Sequence, residues 1–355
     1  MGDENFKELL RSLPVFFIIG RERSGTTLMR TLFDAHPNVS IQVEFHFIWH
    51  MYHKYHRKKR WTRQQLERFW QDLTRLPRYN LVTLHRKQLK QSILSLEGDC
   101  DYATLCKAVL FHYKSFFDKQ EILILGDKCP LYSLHIPYLL KVFPDARFIH
   151  LVRDYRDNIL SMLRVRIESH VFSALAYRWT YYNQRVRSAI RSSPDQFISM
   201  KYEDFVSHPE EKLTDICTFL GIPFVPSMLE FHKKRDAFIS VYPRRIVEHI
   251  HKSLFQPISA EHIYRWRKKM TEKQVKLADA IAGSEGMRWG YSPQFTGKSR
   301  SIKLLFWPGI AYGRLYYTWG AVVSRLPLGI KSRLVFFLAR SFGRKWPELK
   351  IMQDE

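Results

Sequence analysis

The sequence predicts an α/β fold: a P-loop-like parallel β-sheet flanked by helices, with a helical insertion and a helical, basic carboxy-terminal segment. Short apolar runs without polar–apolar alternation are typical of strands buried on both faces, as in a parallel sheet. Apolar residues at helical spacing follow these runs, and this alternation is typical of a doubly wound sheet. A glycine-rich turn directly after the first run predicts a phosphate-binding loop.

Four apolar runs are the predicted strands, and glycine ends the first two. They are residues 15–19, which stop at Gly20, residues 122–125, which stop at Gly126, residues 147–152 and residues 196–200. Apolar residues three and four apart predict helices between them. These residues are Leu28, Met29, Leu32 and Phe33, then Tyr138, Leu139 and Val142, then Ile159, Leu160, Met162 and Leu163. A long helix is predicted over residues 170–191.

Composition divides the 355 residues into two parts. We expect one domain over residues 1–299, with a mostly helical insertion at about residues 45–120, and a separate segment over residues 300–355. No acidic residue stands between Glu285 and Glu348, whereas eleven lysines and arginines do. Apolar and aromatic residues fill the gaps, so this segment is predicted to be basic and amphipathic.

The charge balance indicates an anionic partner. Lysine and arginine number 57 against 34 aspartates and glutamates, which gives a net charge of +23. Such an excess favours a nucleotide, a nucleic acid, a phospholipid surface, or a sulfated or phosphorylated substrate. With 45% hydrophobic and 26% charged residues, the composition excludes a wholly disordered chain.

The cysteines and the amino terminus predict a cytoplasmic protein. The four cysteines, Cys100, Cys106, Cys129 and Cys217, form no CxxC pair, so zinc-ligand spacing is absent. Four cysteines in a chain of this length make no disulfide framework, and a reducing compartment is expected. The first residues contain two acids and no long apolar run, unlike a signal peptide. No stretch reaches the ~18 apolar residues of a membrane span.

Residues 20–27, with the pattern G-x-x-x-x-G-T-T, follow the first predicted strand and open a helix. Gly20 and Gly25 allow a tight turn in which several backbone N–H groups point at one anion, and the helix amino terminus adds positive charge. Side-chain donors come from Arg23, Ser24, Thr26 and Thr27. Thr26 stands where a P-loop has its lysine, which argues against a kinase or ATPase.

Three motifs together resemble the sulfotransferases that use 3′-phosphoadenosine 5′-phosphosulfate (PAPS). The first is the loop with the Asp34–Pro37 segment that follows it, the second is residues 126–130, and the third is residues 143–161. The resemblance covers roughly residues 14–295. It is nearer the tyrosylprotein and broad prokaryotic type than the cytosolic phenol and steroid type, because a glutamate, Glu44, stands 21 residues after Arg23. That branch usually has proline where this chain has Glu22.

The resemblance implies a catalytic role for three residues. Glu44 would be the general base that takes the proton of an acceptor hydroxyl, with His46 and His50 as rival bases. Lys128 would neutralise the leaving-group oxygen, and Arg23 and Thr26 would hold the sulfuryl oxygens. Because charge spreads over non-bridging oxygens in such transfers, catalysis is mainly positioning and electrostatics.

The resemblance also implies the residues that bind the nucleotide. Arg153 and Ser161 would bind the 3′-phosphate, for which a planar guanidinium suits bidentate contact. The remaining binding candidates are Ser24, Gly25 and Thr27 in the loop, Tyr202, and Lys252, Ser253 and Arg265 in a segment that closes over PAPS. Asp154, Arg156 and Asp157 are expected to form caps and ion pairs. No metal is expected.

Two other functions stay open from the residues alone. Residues 123–127 imitate a Walker B strand that ends in an acid, which would suit a P-loop kinase or nucleotidase with magnesium. Residues 54–63 form a basic run that would suit a nucleic-acid-binding protein, although we expect no nucleic-acid partner.

The acceptor is predicted from the carboxy-terminal segment. On a helical wheel, Leu334, Val335, Leu338 and Phe342 lie opposite Arg333, Arg340 and Arg344. Such a face suits an anionic membrane surface, here the inner face, although a helical subdomain packed on the core is the alternative. Membrane docking favours a lipid or sterol-like alcohol over another small molecule, a tyrosyl peptide or a carbohydrate. The aromatic residues of the insertion line an acceptor pocket or fill a core: Tyr52, Trp61, Phe69, Trp70 and Tyr79.

Overall fold

A computed structural model of the chain describes residues 3–76, 78–165, 168, 170–234, 256–297, 299–324, 326 and 330. The chain forms two compact units. The first unit comprises Met1–Val152 and Val186–Glu261, and the second comprises Arg153–Arg185 and His262–Glu355. The predicted boundary at residue 299 stays a prediction.

A parallel sheet forms the centre of the first unit. In chain order the strands are β1 (Val15–Gly20), β2 (Val39–Gln42), β3 (Arg60–Trp61), β4 (Gly98–Asp99), β5 (Ile124–Lys128), β6 (Arg147–Val152) and β7 (Phe197–Lys201). Within the described residues the sheet has the order β2-β5-β1-β6-β7, and every neighbouring pair is parallel. Strands β3 and β4 form a separate antiparallel ribbon. The predicted parallel α/β fold is confirmed.

Fifteen α-helices are present among the described residues. They are α1 (Asp3–Ser12), α2 (Thr26–Ala35), α3 (Phe47–Tyr55), α4 (Arg63–Thr74), α5 (Arg86–Ser95), α6 (Tyr102–Phe111), α7 (Ile136–Val142), α8 (Tyr155–Arg164), α9 (Phe172–Ser192), α10 (Tyr202–Ser207), α11 (Pro209–Leu220), α12 (Trp266–Lys269), α13 (Glu272–Arg288), α14 (Ser299–Leu305) and α15 (Trp307–Ser324). The insertion is mostly helical, as expected. Among the described residues, no helix is long and apolar enough to cross a membrane.

The second predicted strand was placed too early in the chain. It was expected over residues 122–125 with an end at Gly126, whereas β5 begins at Ile124 and continues through that glycine to Lys128. Leu123 is exposed, so the apolar run begins before the sheet does. Gly126 lies within the strand, and the position requires glycine because a Cβ there would lie 2.6 Å from the ring of Phe16 on β1.

Strand β2 was missed by sequence reasoning. It has only four residues, and two of them, Ser40 and Gln42, are polar, so it has no apolar run. Its polar side chains are nevertheless buried, because the strand pairs with β5 and Ser40 donates to the carbonyl of Leu110 at 2.8 Å. This edge strand is therefore identified by its pairing with β5 and not by an apolar run in its sequence.

Aromatic residues of the insertion form a core. Trp61 and Phe69 are fully buried and meet edge to face at 5.8 Å, and Tyr55 contacts both rings. Tyr52 and Tyr79 are also buried, and Trp70 is half-buried with its ring edge against Tyr79. Of the two uses predicted for these residues, core filling is the one that the structure shows.

Buried charges attach α2 to the insertion. Arg30 pairs with Asp34 at 3.0 Å and donates to the hydroxyl of Tyr113. Asp34 also accepts from Ser115 at 2.7 Å, and the ammonium of Lys119 lies 3.5 Å from it. Each carboxylate oxygen thereby has a donor, and a buried charge without one would be costly. This network fixes the helix that begins at the phosphate loop.

Ion pairs and caps also organise the second unit. Asp154 caps α8 by accepting from the backbone of Arg156, and the two side chains form two hydrogen bonds of 2.9 Å. Asp157 accepts from the backbone N–H of Trp266 at 2.8 Å. These are the structural roles expected for the three residues. The predicted amphipathic face at residues 334–342 lies outside the described residues.

Burial keeps the cysteine thiols inert. All four are free and buried. Burial raises the pKa of Cys100 and of Cys217 to about 12 each. A thiol with such a pKa stays protonated at physiological pH, so these side chains act as small apolar groups rather than nucleophiles.

Candidate active site

The loop between β1 and α2 has a backbone that only glycine fits at two positions. Gly20 has a φ of 144°, and a Cβ there would lie 2.3 Å from the carbonyl oxygen of Leu151. Gly25 has a φ of 93°, and a Cβ there would lie 2.4 Å from the ring of Tyr202. Tyr202 begins α10 and is buried, so its ring packs against the loop at Gly25.

The loop has a backbone geometry and a charge that suit an anion. Arg23 adopts the left-handed conformation with a φ of 67°. The backbone N–H of Ser24 closes a turn by donating to the carbonyl of Arg21 at 3.2 Å. Helix α2 then begins at Thr26. Its first-turn N–H groups have no acceptor within the helix, and its dipole places positive charge at this end. Glu22, which replaces the usual proline, pairs with Arg21.

Lys128 connects this loop to Glu44. Lys128 is the last residue of β5, and its side chain is buried. Its ammonium group lies 2.5 Å from one carboxylate oxygen of Glu44 and 3.3 Å from the hydroxyl of Thr27. A strand end, the loop and the segment before α3 therefore place the three side chains in contact, although they are distant in sequence.

Arg78 completes this cluster, and sequence reasoning missed it. Its guanidinium lies 3.3 Å from the other carboxylate oxygen of Glu44. Its backbone is left-handed, with a φ of 71°, at the start of the short 3₁₀ helix Tyr79–Leu81. A non-glycine residue in this conformation is uncommon and tends to occur where surrounding structure holds it. We call Glu44, Lys128, Arg78 and Thr27 the carboxylate clamp.

The clamp controls the protonation of Glu44. Burial alone would raise the pKa of this carboxyl, but the charges of Lys128 and Arg78 outweigh burial and hold the pKa well below its usual range. The side chain is 26% exposed, so one side of the carboxylate stays accessible. Glu44 is therefore an ionised, partly accessible carboxylate, as a general base must be.

The rival base His46 lies beside the clamp. Its backbone is left-handed, with a φ of 55°, and it immediately precedes α3. Burial, followed by the charge of Arg78, lowers the pKa of this imidazole to about 3. The ring of the second rival, His50, has its centroid 6.1 Å from that of His46. Both histidines therefore lie on the α3 side of Glu44.

The residue that imitates a Walker B acid faces the interior. Asp127 precedes Lys128 in β5, and successive side chains of a strand point to opposite faces of the sheet. It is fully buried and in register with Gln42 and Phe17. Burial raises the pKa of this carboxyl well above its usual value. Among the described residues, no group of three or more histidine, cysteine or acidic side chains could hold a metal ion.

The candidates for the 3′-phosphate lie in the second unit. Arg153 directly follows β6, and its guanidinium donates to the carbonyl of His262 at 2.6 Å. Its own carbonyl accepts from the indole of Trp179 at 3.0 Å. Ser161 lies on α8 and is half-buried. These contacts hold the backbone and the guanidinium of Arg153 just before α8, and the binding role of both residues stays a prediction.

The candidates of the closing segment are only partly described. Arg265 immediately precedes α12 and is half-buried, with its guanidinium 3.4 Å from the imidazole of His262. Lys252 and Ser253 lie outside the described residues.

The chain belongs to the sulfotransferase family, and it is a sulfotransferase enzyme. Residues 14–226, more than half of the chain, match that family. The resemblance carried by the loop and by residues 126–130 and 143–161 is thereby confirmed. Because the family transfers sulfuryl groups, its match also favours this activity over a kinase or a nucleic-acid-binding protein.

Individual relatives are tyrosine-directed enzymes by name. The chain is similar to Protein-tyrosine sulfotransferase 1 of Danio rerio, with 26% identity over 288 residues that cover 80% of this chain and 74% of the relative. It is 26% identical over 272 residues to Protein-tyrosine sulfotransferase of Drosophila melanogaster, which covers 72% of this chain but 47% of the relative. The chain thus spans about half the length of the fly protein.

A solved structure supports the fold. The sulfotransferase domain from the Synechococcus PCC 7002 olefin synthase matches with a TM-score of 0.50 and 23% identity, over 76% of this chain and 94% of that domain. At this level of identity the likeness concerns the fold alone.

Proposed function

We propose that this sulfotransferase moves the sulfuryl group of PAPS to the hydroxyl of a tyrosyl residue in a peptide or protein and releases adenosine 3′,5′-bisphosphate. The observation that carries the proposal is the contact chain from Thr27 through Lys128 to Glu44, which joins an anion-binding loop to an ionised carboxylate. The tyrosyl acceptor is supported by the names of the relatives. It replaces the lipid or sterol-like alcohol favoured from sequence.

The loop fits the donor's 5′-phosphosulfate. Its glycines leave room for an anion to approach the backbone, and Arg23, Ser24, Gly25, Thr26 and Thr27 supply backbone and side-chain donors. Arg153 and Ser161 bind the 3′-phosphate in this proposal, and Arg265 belongs to the closing segment with Lys252 and Ser253. Tyr202 supports the loop through its contact with Gly25. When bound, PAPS supplies an activated sulfuryl group.

The clamp performs the proton chemistry. An S–O bond forms to the acceptor oxygen as the S–O bond to the donor's phosphate breaks, and the electron pair of the broken bond stays on that phosphate oxygen. Glu44 takes the acceptor proton, and Lys128 neutralises the new charge on the phosphate oxygen. As Lys128 turns from Glu44 toward that oxygen, one cation leaves the carboxylate and its pKa rises. The base thereby strengthens when the proton must be accepted.

An acceptor screen tests the proposal. Purified full-length protein is incubated with radiolabelled PAPS and, in separate reactions, a tyrosyl peptide, its phenylalanine counterpart, a simple phenol, a glycan, a sterol and a long-chain alcohol. We expect label on the tyrosyl peptide, none on the phenylalanine peptide, and one adenosine 3′,5′-bisphosphate released for each sulfate transferred. Label confined to the glycan, sterol or alcohol would contradict the acceptor, and absence of adenosine 3′,5′-bisphosphate would contradict the donor.

A further inference from the structure

An exposed apolar surface lies in the second unit, where α14 meets α15. Leu304 and Leu305 are each 74% exposed, Trp307 is 59% exposed and Leu315 is 65% exposed. Phe306 and Tyr312 are exposed as well. We call these six residues the apolar elbow. Single exposed apolar residues are ordinary, whereas a contiguous group of large ones marks an interaction surface.

Packing of α15 on α9 determines which face of α15 points outward. A Cβ on Gly309 would lie 2.0 Å from the hydroxyl of Ser173, and one on Gly313 would lie 3.1 Å from the ring of Tyr177. The next residue on this face, Tyr317, stacks its ring on Tyr181 with centroids 4.7 Å apart. The small residues thus allow close helix contact. At 3.6 residues per turn, Leu315 falls on the opposite face, whereas Tyr312 lies at the side of the packed face, with its ring 5.9 Å from the guanidinium of Arg178 on α9.

The charged residues of the segment that carries the elbow have one sign. Arg300 and Arg314 are exposed and Lys303 is half-buried. No acidic residue occurs in the sequence from Gly286 through Pro347. An electrostatic attraction toward negative charge therefore accompanies the apolar surface.

We propose that the apolar elbow docks on an anionic lipid bilayer. Leucine and phenylalanine side chains bury at the boundary between headgroups and acyl chains, and tryptophan and tyrosine favour the same interface. Arg300, Lys303 and Arg314 would contact the lipid phosphates, because basic residues are attracted to an anionic surface. The combination of leucine, aromatic and basic residues without acids matches this surface. Docking is independent of which acceptor the enzyme sulfates.

Vesicle flotation of the full-length protein tests the proposal. One vesicle contains phosphatidylcholine alone and the other an equimolar mixture with phosphatidylglycerol. We expect binding to the anionic vesicle and its loss at high salt. Because a basic residue at an anionic surface contributes about fivefold to partitioning, the triple variant Arg300→Gln, Lys303→Gln and Arg314→Gln should bind roughly a hundredfold more weakly. The apolar variant Leu304→Gln, Leu305→Gln and Leu315→Gln should lose about tenfold or more.

Matched variants separate the elbow from general properties of the chain. Leu123 and Met287 are exposed apolar residues elsewhere, and their change to glutamine should leave vesicle binding intact. Lys268, Lys269 and Lys273 are exposed, and their change to glutamine removes the same charge from other segments of the second unit. Retained circular dichroism and unchanged sulfation of a soluble peptide show that each variant is folded.

Several outcomes overturn the proposal. The proposal is wrong if the wild-type protein does not bind anionic vesicles. It is also wrong if an elbow variant binds them as strongly as the wild type. If the Lys268, Lys269 and Lys273 variant loses as much binding as the elbow charge variant, the attraction is a general effect of net charge. If the apolar variant converts a dimer to a monomer in light scattering while vesicle binding is unchanged, a second copy of the chain covers the elbow.

Discussion

Glu44 and Asp127 are two carboxyl groups of the first unit that differ sharply in their surroundings. The Glu44 carboxylate lies between Lys128 and Arg78, which lower its pKa despite burial. Asp127 is the neighbour of the same lysine in β5, but it points to the other face of the sheet and burial raises its pKa. Sequence distance to a cation is therefore a poor guide to a carboxyl's charge.

The difference follows from the alternation of a strand. One residue step along β5 moves a side chain from the carboxylate clamp to the interior of the sheet. In the clamp, opposite charges within a few ångströms favour the ionised form. In the interior, burial raises the pKa of Asp127 and outweighs the opposing effects of the Tyr132 hydroxyl and of the charge of Lys128. A buried carboxyl whose partners do not offset its desolvation favours its neutral form.

The largest expected effect is that of Glu44→Gln, because this change keeps the shape of the side chain and removes its basicity. We expect turnover to fall by about 10²–10⁴-fold, the usual contribution of general base catalysis. Binding of adenosine 3′,5′-bisphosphate should change little, because the phosphate loop is untouched. Steady-state kinetics and calorimetry measure the two quantities.

His46→Gln is the matched control for this variant, since it also leaves a neutral hydrogen-bonding side chain beside the clamp. It should keep most of the turnover, because Glu44, and not the imidazole, is the side chain that Lys128 joins to the phosphate loop. An active Glu44→Gln variant together with an inactive His46→Gln variant would assign the proton to the histidine.

Arg78 gives the second effect, which is smaller because the residue acts through Glu44. Arg78→Met removes one cation from the carboxylate and should lower kcat about tenfold, as expected for one lost charge-assisted hydrogen bond. Since the positive charge of Arg78 lowers the pKa of Glu44, its loss raises that pKa. The acid limb of the kcat–pH profile should therefore move to higher pH.

Arg78→Lys is the control, because it restores charge without the planar guanidinium. It should return the acid limb toward the wild-type position while recovering only part of kcat. A loss of kcat with an unchanged pH profile in Arg78→Met would mean that the residue supports the loop around Tyr79 and does not position Glu44.

The sequence predicted those parts of the site that local patterns define. The loop glycines are recognisable because their spacing reflects a backbone need, and Lys128 because it follows an apolar run. Arg78 left no such signal: it is separated by 34 residues from Glu44 and meets it only through the fold of the insertion. Asp127 even gave a misleading signal, because its place at the end of an apolar run imitates a metal-binding acid. The alternation of side chains along β5 directs the Asp127 carboxyl to the face of the sheet opposite Lys128.

The smallest effect on activity is expected for Asp127→Asn, which tests the other half of the comparison. The raised pKa means that the folded state binds a proton that the unfolded state, with a pKa of ~3.9, releases. Stability of the wild type should therefore fall as pH rises above that value, by about 1.4 kcal/mol per unit until the folded pKa is reached. Asparagine does not titrate, so the variant should lack this slope and keep near-wild-type turnover.

Thermal unfolding of both proteins from acidic to neutral pH measures the slope. At a pH below ~3.9 aspartic acid is neutral in both states, so the two proteins should differ only by the exchange of a hydroxyl for an amide. Toward neutral pH the variant should become progressively more stable relative to wild type. Glu44→Gln should show the opposite trend, because a lowered pKa stabilises the fold above the unfolded value and this gain is lost in acid. Parallel curves for wild type and Asp127→Asn would mean that Asp127 is as ionised in the fold as in the unfolded chain, and the contrast with Glu44 would then be wrong.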